Sequence, residues 1–206
     1  MAEDGGNKPL REIAKAFEDL ALTVNSQDDS LLAVAPFSHA CTLVSPLFGC
    51  LGIAFKFAER DYVAKVKDLC DASSSISTLQ AVLEQDIQAK TVQKPGSHTR
   101  NLLRVKRGLD MVKVLFEHII LTEGDSLKDA ASNAYSQVFA PYHGWAIRKA
   151  VAAGMYALPT KAQLLRKLNE DENTAKVYMQ SYVTSVDAVV RNVDKLYLSK
   201  DLGIDW

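Results

Sequence analysis

Between Leu31 and Phe55 the chain carries no charged residue, and a run of that kind has two physical homes, a bilayer or a protein interior. It is long enough to span hydrocarbon. Yet Pro36, Ser38, His39, Thr42, Ser45, Pro46, Gly49 and Gly52 interrupt it, and no basic cluster stands at either end. Lipid solvates so polar a segment poorly. The run therefore reads as part of a helix buried all round at the heart of a helical layer, extending from about Ala35 to Asp71 with a bend at Pro46.

Helical periodicity governs the rest. Leu10, Ile13, Phe17 and Leu20 mark an amphipathic helix over Pro9–Val24. The serines 73–75 break the long helix and can cap the next, Leu79–Lys90. Pro95-Gly96 makes a turn, and Ser97 is the expected N-cap of a helix ending near Gly124. Further helices are predicted at Ser126–Ala140, Gly144–Leu158, Lys161–Asn169 and Glu172–Leu198. No strand, repeat or low-complexity segment is evident, so the class is all-α. Residues 1–7 are expected as a flexible tail and 8–206 as one domain.

A net charge of −1 gives no overall field to draw in nucleic acid. Any recognition of an anion must be local. Cys41, Cys50 and Cys70 form no CxxC pair, which points to a reducing, cytoplasmic setting. The acidic N-terminus shows no signal core, and neither end matches a lipidation motif.

The local anion site is legible. Arg100, Arg104 and Arg107 fall at i, i+4 and i+7, a spacing that stacks guanidinium groups along one helical stripe. Like charges so placed repel by about 0.2–0.5 kcal/mol per pair, so the stripe calls for an anion, and the guanidinium fork suits phosphate. Asp61 and Lys65, at i and i+4, are either a solvated ion pair or part of the same site. His143, in the turn Phe139-Ala-Pro-Tyr-His-Gly-Trp145, is either a cap or a ligand contact. No HExxH, P-loop, GxSxG, GxGxxG or Cys/His metal spacing occurs. No catalytic residue, metal or cofactor is expected.

The segments Phe48–Lys65, Thr99–Leu109 and Tyr142–Trp145 resemble the glycolipid transfer protein superfamily, over the chain from Lys8 to Trp206. The resemblance implies a two-layer helical sandwich with an internal apolar lipid pocket. It matches Asp61 to the aspartate that accepts from a ceramide amide N–H, and His143 to the histidine that donates to the amide carbonyl. Lys65, Arg100 and Arg104 match the cationic triad that grips phosphate. The glycolipid branch has asparagine where Lys65 stands and tryptophan where Arg104 stands. The resemblance is thus to the ceramide-1-phosphate branch, including its plant members, and implies intermembrane transfer or sensing of such phosphosphingolipids and restraint of programmed cell death. Both branches share the run containing Arg107, which reads as structural or peripheral.

On this reading Leu47, Phe48, Ile53, Leu103, Val112, Phe116, Phe139, Val151, Met155 and Leu158 line the pocket, or else are ordinary core. Tyr142, Trp145, Arg148 and Lys149 form a membrane-docking rim, with core or support of the head-group site as the other reading of Trp145. The expected protein is a monomer that touches membranes transiently and peripherally and binds no nucleic acid. The rival reading is an all-helical adaptor whose exposed arginine stripe docks a phosphorylated or acidic partner. A third, a sphingolipid hydrolase, would need an activated water or nucleophile near Asp61 and His143.

Overall fold

The computed structural model describes residues 7–26, 32–52 and 55–206. Helices α1 (Pro9–Asn25), α2 (Val34–Cys50), α3 (Lys56–Ala72), α4 (Leu79–Ala89) and α5 (His98–Leu121) are followed by α6 (Lys128–Val138), α7 (Trp145–Gly154), α8 (Lys161–Lys167) and α9 (Glu172–Ser199). Short 3-10 turns at Ala140–Tyr142 and Met155–Ala157 flank α7. Among the described residues the only β features are the isolated bridges Ala33–Thr78 and Ser126–Thr160.

The helices stack as a two-layer sandwich. α1 lies against α9 and α2, α2 against α3, α3 against α5, and α5 against α9, α6 and α4. The amphipathic pattern of α1 buries Leu10, Ile13, Phe17 and Leu20. Phe17 meets the edge of Tyr182 at 5.1 Å, and Phe116 of α5 meets it at 5.5 Å. One buried phenol thus joins three helices, and its hydroxyl donates to the Leu109 carbonyl at 3.2 Å. Where α5 crosses α9, Lys106 is enclosed between Asp110 and Asp194, both at 2.9 Å.

The long helix expected over Ala35–Asp71 is two helices. α2 ends at Cys50, Gly52 adopts φ +98°, and α3 starts at Lys56. That left-handed conformation stops a helix at little cost only for glycine. Pro46 stays inside α2. Nor is α2 buried all round, because Ala35, Pro36, His39, Thr42 and Pro46 are exposed along one side.

Thr78, rather than the preceding serines, caps α4 by accepting from the Ala81 amide. The arginine helix stops at Leu121, and α6 starts at Lys128. The helix predicted over Gly144–Leu158 gives way to a 3-10 turn at Met155. Asn7, within the predicted tail, accepts from the Asn169 side chain at 2.8 Å. The rest of that tail and Ile53 lie outside the described residues.

Candidate functional site

α5 carries the cations, and its start is firmly anchored. Ser97 caps it as predicted, accepting from the Arg100 amide at 3.2 Å. The buried Asp86 carboxylate of α4 accepts from the Thr99 amide at 2.7 Å, where negative charge also suits the helix dipole. The Arg100 guanidinium is steadied by the Gln93 carbonyl at 3.1 Å.

α3 presents Asp61, Lys65 and Asp68 at i, i+4 and i+7, one stripe of the helix. Asp68 ties that stripe to α5, accepting from the Asn101 side-chain Nδ2 and pairing with His98 Nδ1, both at 2.8 Å. One turn away Lys65 donates to the Asp61 carboxylate. Lys65 is largely enclosed, at 14% exposure, whereas Asp61 is 56% exposed. At Gly108 the two helices approach so closely that a Cβ would stand 2.7 Å from the Tyr62 ring. Tyr62 in turn donates to the Cys41 carbonyl of α2.

The third contributor is the turn between α6 and α7. The His143 ring stacks on Phe139 at 5.7 Å with planes 10° apart, and its Nδ1 meets the Tyr135 hydroxyl at 2.9 Å. Partial burial, then the nearby Arg104 charge, lower its pKa from the ordinary value, against a smaller opposing effect of Asp61. His143 is therefore neutral at pH 7. Burial, and then Arg100, likewise press the Arg104 guanidinium below its usual range.

Arg104 stands out among the cations. It has no carboxylate partner among the described residues, and neither does Arg100. The buried cations elsewhere are satisfied: Lys106 by two aspartates and Lys161 by Glu172. Arg107 leaves the stripe altogether. Buried, it donates to the carbonyls of Ile204 and Trp206 at 2.7 Å and lies 3.6 Å from the centre of the Tyr142 ring. The continuous exposed stripe that an adaptor would require is therefore absent from α5.

Leu47, Phe48, Leu103, Val112, Phe116 and Met155 are buried members of one continuous core, and Phe139, Val151 and Leu158 pack against it half-buried. Two clefts lie elsewhere. One of about 530 Å³ is lined by Asp125, Lys161 and Glu172, and one of about 490 Å³ runs between α1 and α2. Trp145 is 70% exposed, which excludes the core reading, and Arg148, Lys149 and Tyr142 are exposed beside it. Ile147, two positions further along α7, is also exposed and escaped the sequence reading, as did Tyr135 and the Gln93 carbonyl. The signal for Tyr135 was its place on the buried face of α6 with Ala131 and Ala134.

Among the described residues no group of three or more metal-ligating side chains occurs, and no helix is long and apolar enough to cross a membrane.

Comparison with known proteins gives a consistent picture. The family described as Glycolipid transfer protein matches residues 32–170. "Accelerated cell death 11" of Arabidopsis thaliana is 66% identical over 207 residues, covering 100% of both chains. A crystal structure of a variant of that Arabidopsis protein, complexed with C12 ceramide-1-phosphate, superposes with a TM-score of 0.96 at 65% identity, covering 98% of this chain and 100% of that one. Human ceramide-1-phosphate transfer protein, in complex with 2:0 ceramide-1-phosphate, shares the fold at a TM-score of 0.81 and 20% identity, over 95% and 98% of the two chains.

Proposed function

The chain belongs to the glycolipid transfer protein family, and from that premise we propose that it carries ceramide-1-phosphate between membranes. The observation that carries the reading is Arg104: a half-buried guanidinium with no acid to neutralise it, beside a second unpaired arginine and an enclosed lysine. Desolvated cations left in this way favour a ligand that brings negative charge. Phosphate supplies it, and Lys65, Arg100 and Arg104 are its donors.

Next to them stand an acceptor and a donor. The Asp61 carboxylate takes an amide N–H, and the neutral His143 gives a hydrogen to the amide carbonyl. An ester-linked lipid offers no N–H to the aspartate. A lipid without phosphate leaves the cations uncompensated, which favours a phosphosphingolipid over both.

Carriage addresses a large barrier. At about 0.8 kcal/mol per methylene, exposing a sixteen-carbon chain to water costs on the order of 12 kcal/mol. The core around Leu103, Val112 and Phe116 supplies apolar surface instead, and the chains enter as the helical layers part to admit them. Side chains such as Met155 adapt readily to that change. Binding, extraction and release involve no covalent step.

The membrane encounter is peripheral and reversible. Trp145, which is exposed, enters the interface, with Tyr142 at its edge and Arg148 and Lys149 toward lipid phosphates. On this reading the protein acts as a cytoplasmic monomer, its site built from α3, α5 and the turn between α6 and α7. The name of the Arabidopsis relative is the ground for proposing that the lipid carried bears on programmed cell death.

Arg104→Glu tests the reading. Losing a charge-assisted contact costs about 1.5–3 kcal/mol and the introduced anion adds repulsion. Transfer of ceramide-1-phosphate between vesicles should fall at least about hundredfold, with the helical circular dichroism spectrum intact. Undiminished transfer would overturn the site.

A further inference from the structure

His143 can serve an amide carbonyl only if the hydrogen of its neutral ring is on the nitrogen that meets the ligand. The ring has two nitrogens, and the partner of one decides the state of the other. The nitrogen engaged internally is Nδ1. The ring is stacked on Phe139 and tilted against the Tyr135 ring at 5.7 Å. Its Nδ1 is 2.9 Å from the Tyr135 oxygen. Tyr135 is itself 9% exposed and held on α6, an element separate from the turn that carries His143.

A phenol and a neutral imidazole can pair in two ways. Either the hydroxyl donates to a bare Nδ1, or Nδ1–H donates to the phenol oxygen. The first is favoured chemically. A phenol oxygen delocalises its lone pair into the ring and is a weak acceptor, while an unprotonated imidazole nitrogen is a strong one. Burial also raises the Tyr135 pKa above its ordinary value, so the hydroxyl keeps its proton.

We infer that Tyr135 is a positioning residue for the lipid site: its hydroxyl donates to His143 Nδ1 and so holds the ring hydrogen on Nε2, as the donor for the ligand carbonyl. This rests on the reading of His143 as the amide contact. Phe139 fixes the plane of the ring, and Tyr135 fixes its tautomer. Asp61, a pure acceptor, and His143, a pure donor, then form a matched pair. The opposite tautomer would set two acceptors toward the amide and leave its carbonyl without a partner.

The test uses the full-length, ligand-free protein labelled with nitrogen-15 in histidine. The wild type should show Nε2 with the shift of a protonated nitrogen and Nδ1 with that of a bare one. Tyr135→Phe keeps the ring and its packing, and should move the two shifts toward a mixture. In vesicle assays the same variant should lose about three- to tenfold in ceramide-1-phosphate transfer, as the loss of one neutral hydrogen bond implies. In a His143→Ala background it should lose nothing further. A purely structural role for Tyr135 would lower thermal stability while leaving the tautomer unmoved. Unchanged nitrogen shifts in Tyr135→Phe, or a transfer loss that persists in full when His143 is absent, would overturn the inference. Undiminished transfer by His143→Ala alone overturns instead the role of His143 on which the inference rests.

Discussion

Arg104 and Lys106 are two positions apart on α5, yet their charges are handled in opposite ways. Burial presses the Lys106 pKa down, and Asp110 and Asp194 more than offset it. For Arg104 burial and Arg100 outweigh the attraction of Asp61, and its pKa stays lowered. The difference follows from helical phase, since two positions along a helix point to different sides. One side meets Asp194 of α9, with Asp110 one turn further along α5, and the other opens toward Asp61 and His143. The same logic explains Arg107, which shares the spacing of the stripe but is captured by the carbonyls of Ile204 and Trp206. At this scale the titration of His143 is also a stability effect. Its native pKa lies below the ordinary value of about 6.5, so between the two values the unfolded chain binds more protons than the folded one. Stability therefore rises with pH across that window and is lost as the pH drops below about 6.5. Urea denaturation of the wild type and of His143→Asn at pH 7 and pH 5.5 checks this, and the variant should lose less stability on acidification.

Among the elements, the contact of α3 with α5 sets the geometry of the site. Gly108 lets the Tyr62 ring rest directly on the α5 backbone, while Asp68 bridges to His98 and Asn101 one turn from Lys65. Moving these helices apart would separate Asp61 and Lys65 from the arginines. Gly108→Ala should therefore destabilise the protein by about 1–3 kcal/mol through overpacking. Thermal denaturation would read this as a lowered Tm, and ceramide-1-phosphate transfer should fall beyond what the unfolded fraction accounts for. A Tm equal to that of the wild type would show that Tyr62 yields at no cost. The break between α2 and α3 has a related lesson. The apolar pattern runs on through Leu51 and Phe55, so periodicity joined two helices, whereas the backbone at Gly52 divides them.

For the whole molecule, α7 is an element that exposes apolar side chains beside basic ones. Trp145 and Ile147 project from a helix with no buried residue at all, next to Arg148 and Lys149. Because Trp145 contributes little to the core, Trp145→Ala should leave the Tm unchanged. Its loss from a membrane interface forfeits on the order of 1.5 kcal/mol of apolar transfer, so partitioning onto anionic vesicles in a flotation assay should fall about tenfold. Unchanged flotation would remove α7 from the docking face.

The sequence by itself determined the helical class, most helix boundaries, the Ser97 cap and the helical spacing of Asp61 with Lys65 and of Arg100 with Arg104. These depend on spacing along the chain, and helical geometry converts spacing into a shared face. Tertiary structure alone decided that Arg104 lacks an acid while Arg107 is held by the C-terminal carbonyls, that Tyr135 meets His143, that Trp145 is exposed, and that α2 keeps one side open to water. Each of those outcomes depends on which elements lie opposite one another. Such contacts join residues far apart in sequence, and their partners are set by how whole helical faces pack rather than by any local pattern.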